Sequence, residues 1–141
     1  MEVPEVRRRL RGAIERAKQR SAERRAVVDA AGRDYETFLT SVAIPTVMQV
    51  AQALVAEGYP FKVETPAGSV RMAAERTSDF IEITMDAGQD PPQVIGQTSM
   101  GRGRSTLTSE RPLREGTAIA TLNEEDVLDF LAEEVVKLIA K

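Results

Sequence analysis

The chain has 141 residues, 42% hydrophobic and 29% charged, with a net charge of −3 and no Cys, His or Trp. Those absences exclude disulfides, thiol nucleophiles, thiolate or imidazole metal sites and every relay that needs an imidazole base. Length and composition suit one globular domain, or one domain with an extension, large enough to bury a core.

The start, Met1-Glu2-Val3-Pro4-Glu5, lacks the basic-then-apolar pattern of a secretory signal. Residues 37–56 are uncharged and of spanning length, but Thr37, Thr40, Ser41, Thr46, Gln49, Gln52 and a central Pro45 make them too polar and broken for a membrane helix. The expectation is a cytoplasmic protein with no membrane partner. Fifteen Arg against four Lys is the bias that GC-rich bacterial genomes impose.

Charge is uneven along the chain. Residues 1–33 carry ten Lys/Arg and five Asp/Glu, a net of +5, while residues 34–116 and 117–141 carry −4 each. A basic head precedes an acidic body, an asymmetry that marks a nucleic-acid contact or an intermolecular match.

The head reads as a helix, with Pro4 in its first turn, where a missing N–H is harmless. Leu10, Ile14, Ala17, Ser21, Arg24, Val28, Ala31, Tyr35, Phe38 and Val42 follow steps of four and three, the 3.5-residue period of a coiled coil. The seam is poor at Ala17, Ser21 and Arg24, and Gly12 and Gly32 each cost about 1 kcal/mol relative to Ala. A helix from Val3 to Ala43 would span roughly 60 Å, against a diameter of roughly 37 Å for a compact domain of this size. It must therefore break near Gly32 or project and find another chain; projection and pairing is the expectation.

A second helix is predicted over residues 45–57, started by Pro45, with Val47, Met48, Val50, Ala51, Leu54 and Val55 apolar, and stopped by Gly58 and Pro60. The period then becomes alternating. Phe61, Val63 and Thr65, a turn at Pro66-Ala67-Gly68, and Val70, Met72 and Ala74 predict a hairpin with a wet face of Lys62, Glu64, Arg71 and Glu75. A third strand covers residues 80–85, with Ile81, Ile83 and Met85 inward and Glu82 outward, before a loop ending in Asp90-Pro91-Pro92. Residues 94–99 and 105–109 predict two more strands, and residues 118–122 a short last strand or an extended approach. Asn123 caps a final helix with Glu124, Glu125 and Asp126 in its first turn, an apolar face of Val127, Leu128, Leu131, Val135, Leu138 and Ile139, and Lys137 and Lys141 near its end.

Three features bear on chemistry. Arg7, Arg8, Arg9, Arg11, Arg16, Lys18, Arg20, Arg24 and Arg25 could meet phosphates. Pairs at helical spacing, Glu5 with Arg8 or Arg9, Glu15 with Arg11 or Lys18, Glu23 with Arg20 and Asp29 with Arg25 or Arg33, instead describe a solvated helix. No aromatic lies there to stack on a base. The run from Gly96 through Arg102, Gly103 and Arg104 to Thr106 looks at first like a phosphate loop, but Arg102 stands at the Lys position, Gly103 at the Ser/Thr position, and a strand follows where a helix is required. Asp79, Glu82, Asp86 and Asp90 are oxygen ligands without the spacing of a calcium loop.

The reading is an α+β chain: an arm over residues 1–44 and a compact domain over residues 45–141, with an antiparallel meander of four to six strands covered on one face by the helices. Its expected role is a non-catalytic protein that forms homodimers through the seam Leu10, Ile14, Ala17, Val28, Ala31, Tyr35, Phe38 and Val42, open to a further protein partner. The alternative is a nucleic-acid-binding accessory protein using Arg7, Arg8, Arg9, Arg11, Arg16, Arg20, Arg102 and Arg104; a small-ligand-binding body is a third. No catalytic group, metal or cofactor is assigned.

Overall fold

The structure, a computed structural model, describes residues 1–140; Lys141 lies outside the described residues. Its elements are α1 (Val3–Phe38), a π-helical turn (Leu39–Ala43), α2 (Ile44–Ala56), β1 (Phe61–Glu64), β2 (Val70–Ala74), β3 (Phe80–Asp86), β4 (Gln93–Arg102), β5 (Ser105–Pro112), a 3₁₀ turn (Ile119–Thr121) and α3 (Glu124–Ile139). The expected α+β arrangement and meander are present: five antiparallel strands in the order β1-β2-β3-β4-β5.

The two helices expected on either side of Pro45 are one. The helix runs unbroken from Val3 to Ala56 over 54 residues, about 80 Å at 1.5 Å per residue. Gly32 does not break it, and Pro45 lies inside it rather than at a new start. Proline has no N–H and its ring crowds the carbonyl four residues back. The π turn answers this just upstream: the Ile44 N–H donates to the Leu39 carbonyl, five residues back, and widens the helix where the ring needs room. Gly58, at φ 92°, ends the helix in the left-handed region that glycine tolerates.

Tyr35, Phe38, Leu39, Ala43, Val47 and Ala51 of the long helix are buried against Phe61, Val70, Met72, Ile81 and Ile83 of the sheet. α3 adds Val127, Phe130, Leu131, Val135 and Leu138 to the same core. Asn123 and Asp126 form a reciprocal capping box at its start. Two residues expected on the apolar face of α3, Leu128 and Ile139, are exposed; Phe130 and Glu134 are buried instead. The segment before α3 is a 3₁₀ turn, not a sixth strand. On the opposite sheet face Lys62 pairs with Glu64 at 3.3 Å, and Arg71 pairs with Glu82 at 3.2 Å while lying over the Phe80 ring.

Candidate interaction surface

Packing divides the long helix into two parts. Arg24 is the first residue clamped to the body: Nη1 donates to Asp90 Oδ1 at 3.0 Å, and Nη2 donates to the carbonyls of Ala87 and Gln89 at 2.8 Å each. About two turns later Ala31 packs on the core, and one turn beyond it Tyr35 donates its hydroxyl proton to the Gly68 carbonyl at 2.6 Å. Burial pushes the Tyr35 phenol up to about 12, with the nearby Glu36 and Glu82 charges adding to it against a hydrogen bond with Thr84. The seam residues Tyr35, Phe38, Ala31 and Val42 therefore serve the chain's own core. Val28 is half-buried at the junction.

Residues 3–23 project beyond this clamp. Their side chains are exposed apart from the half-buried Glu5 and Gly12. Along them runs an apolar stripe of Val3, Val6, Leu10, Ile14 and Ala17, with Leu10 57% and Ile14 53% exposed. The steps of three and four lead this stripe towards Val28, Ala31 and Tyr35. The face that builds the core thus continues off the body, uncovered. Two of its residues, Val3 and Val6, were outside the seam as read from sequence; the step from Val6 to Leu10 carries them.

Of the ion pairs expected on this arm, Glu5 with Arg9 forms, at 3.0 Å. Among the described residues no other pair forms within the arm. Arg7, Arg8, Arg11, Arg16, Lys18 and Arg20 stand in solvent. Arg102 and Arg104 form the tip of the β4–β5 hairpin. β4 begins at Gln93, which shares a groove with Val27 and Ala31 of the helix, and ends at Arg102, about 30 Å away along the strand. The two basic sets stand at opposite ends of the sheet and make no common surface. The Gly96–Thr106 run is two paired strands joined by this tip, with no helix to receive a phosphate.

Asp79, Glu82, Asp86 and Asp90, the oxygen-bearing set read from the sequence, have structural partners. Asp86 accepts from the Gly88 N–H at 2.9 Å and from Gln89 Nε2 at 3.1 Å, Asp79 from the Gly101 N–H at 2.8 Å, and Glu82 from Ser69 and Arg71. Glu134, 2% exposed, accepts from Thr98 Oγ1 at 2.7 Å, Lys137 Nζ at 2.8 Å and Arg111 Nε at 3.2 Å. Burial favours its neutral form, but the hydrogen bonds from Lys137, Thr98 and Arg111 outweigh burial and hold its carboxyl below the usual range. Among the described residues no three acids converge as a metal would require.

A groove of about 530 Å³ lies at the root of the arm, walled by Val27, Ala30, Pro91, Pro92 and Ile119. Among the described residues Asp34 is the one charged residue in its lining. The helix Val3–Ala56 also contains an 18-residue stretch long and apolar enough to cross a membrane, of which 33% is buried within the fold. No family model, curated protein or solved structure matches the chain.

Proposed function

We propose that this is a non-catalytic protein that assembles with itself through its N-terminal helix. One observation carries the reading: residues 3–23 leave the body as a continuation of a core helix and keep their apolar stripe exposed. Most of a helix's stability in a protein comes from packing its apolar face, and covering Val3, Val6, Leu10 and Ile14 would stabilise this one. The seam positions Ala31, Tyr35, Phe38 and Val42 are taken up inside the chain, so the assembling part is shorter than the full heptad run. The apolar residues 37–56 contribute Phe38, Leu39, Ala43, Val47 and Ala51 to the domain core, which supports a soluble, cytoplasmic protein.

Light scattering on the full chain tests this. The expected mass at tens of micromolar exceeds the 15.5 kDa of one chain, and Leu10→Glu with Ile14→Glu returns it to one chain with the melting temperature of the body kept. A wild-type chain that stays at 15.5 kDa sinks the reading. Nucleic-acid binding is favoured by the unpaired arm arginines, and it predicts a bound fraction with generic RNA or DNA that falls steeply with salt.

A further inference from the structure

What covers the arm is legible in the charges beside its stripe. If Ile14 and Ser21 take the a positions of the heptad and Leu10 and Ala17 the d positions, then Arg11, Lys18 and Arg25 occupy e positions and Arg20 a g position. Two parallel arms place e residues opposite g residues, and two antiparallel arms place e opposite e and g opposite g. Every charge so placed is positive. Like charges at these sites oppose pairing of one arm with another, so the stripe calls for an acidic surface with exposed apolar residues of its own.

The chain carries such a surface on α3. Leu128, Ala132, Val136 and Ile139 follow one another by four, four and three residues on the side turned away from the core, with Leu128 50%, Val136 59% and Ile139 38% exposed. Glu124, Glu125 and Asp129 border them, exposed and without an ion pair among the described residues. A groove of about 260 Å³ between α2 and α3, lined by Val50, Ala53, Glu125 and Leu128, opens at the N-terminal end of this strip. From Leu128 to Ile139 the strip is about 16 Å long, and from Val3 to Ala17 the arm's stripe is about 21 Å. Lengths, apolar character and opposite charge match.

The arm cannot reach its own α3. It is held at Arg24 and continues as helix beyond that clamp, with its side chains in solvent. Resting on the self-assembly reading above, we infer that the basic arm of one copy docks on the acidic α3 face of a second copy, with Leu10 and Ile14 set against Leu128 and Val136 and the arm's Arg and Lys against Glu124, Glu125 and Asp129. Arm and receptor are different patches, and reciprocal exchange of the two arms makes each contact twice about a two-fold axis, which closes the assembly as a dimer.

Charge exchange in the full chain tests this, with masses from light scattering and folding checked by thermal melts. Arg11→Glu with Lys18→Glu reverses the arm, and Glu125→Lys with Asp129→Lys reverses the face; all four sites are exposed. Each double variant alone is expected at one-chain mass at a concentration where the wild type assembles. An equimolar mixture of the two restores assembly, because reversed arm meets reversed face, and the wild-type assembly loosens at least tenfold in 1 M salt. If the face variant assembles as well as wild type while Leu10→Glu/Ile14→Glu does not, the arm has another receptor and this inference falls while self-assembly stands. If nuclease treatment dissolves the wild-type assembly, nucleic acid bridges the chains and the inference falls too. A monomeric wild type removes both.

Discussion

The ring of Phe130 lies over Gly96 so closely that a Cβ built on that glycine would stand 1.9 Å from Cζ and 2.4 Å from Cε1. Gly96 sits in the middle of β4, opposite Ile83 on one side and Arg111 on the other. The Arg111 guanidinium covers the ring 4.7 Å from its centroid. Phe130 is therefore enclosed between a strand backbone and a cation, and this contact sets how closely α3 approaches the sheet. Gly96→Ala is expected to destabilise the fold by about 2–4 kcal/mol, in the range of core overpacking and lost aromatic burial. Phe130→Leu removes the ring atoms that would clash, so the double variant should lose at least about 1 kcal/mol less than the sum of the two singles. Additive losses in urea melts would show that the ring simply swings aside.

Behind that ring, Glu134 ties α3 to β4 and β5 through Thr98 and Arg111, and to its own helix through Lys137. Its pKa is lowered in the fold from an ordinary value of 4.5. A lowered carboxyl pKa contributes stability that is fully present above 4.5 and lost as the pH falls through and below that value. Lys137 and Arg111 are partly exposed, which limits the effect through solvent screening. Glu134→Gln should cost about 1–3 kcal/mol at pH 7, and the gap to wild type should narrow as the pH is taken from above 4.5 to below it. A gap that stays constant over that interval would assign the loss to packing alone.

Most elements follow from short-range pattern, and the exceptions share a cause. The strand alternation from Phe61 to Met85, the Gly58 stop and the Asn123 cap need no partner to be read, because they report local backbone preference and one buried face. Pro45 misleads, since a proline that opens a helix and one accommodated by a π turn share the same local sequence. Phe130 and Glu134 are hidden for a different reason. Gly96 and Thr98, which explain their burial, lie more than thirty residues away, and an acid in an acidic helix reads as solvated. The same holds for Arg24, assigned by period to a seam and found on the Ala87–Asp90 loop. The arm itself was legible as a helix too long for its domain. Where the body releases it was not, because the heptad runs through that point without interruption.

Tyr35 offers a second titration. Its phenol stays protonated to about 12, against 10.0 for a free tyrosine. A raised pKa of this kind contributes stability that is present below 10 and lost as the pH rises from 10 to 12, at most about 3 kcal/mol for a shift of this size. Tyr35→Phe removes the hydrogen bond to Gly68, costing about 1 kcal/mol at pH 7, and should flatten the alkaline limb of the stability curve. In a Tyr59→Phe background, absorbance at the phenolate band should show one transition near 12 in the folded chain. A transition near 10 would mean the hydroxyl is not buried in solution.

The boundary at Arg24 predicts two exchange regimes within one continuous helix. Amides of residues 3–23 have helical hydrogen bonds but no tertiary contact, so in dilute solution they open locally, with little free energy needed. Beyond Arg24 each opening must also break the clamp on Asp90, Ala87 and Gln89 or expose Ala31 and Tyr35. Hydrogen exchange read by mass spectrometry should show a step near residue 24, and Arg24→Ala should move it towards Ala31 while exposing residues 87–90 to faster exchange. Raising the concentration should then slow exchange in the arm and on α3 around Leu128 and Val136 together, because one contact covers both. Protection that appears in the arm alone would place its receptor elsewhere, and an arm as slow as the core in dilute solution would mean that it never projects as a free helix.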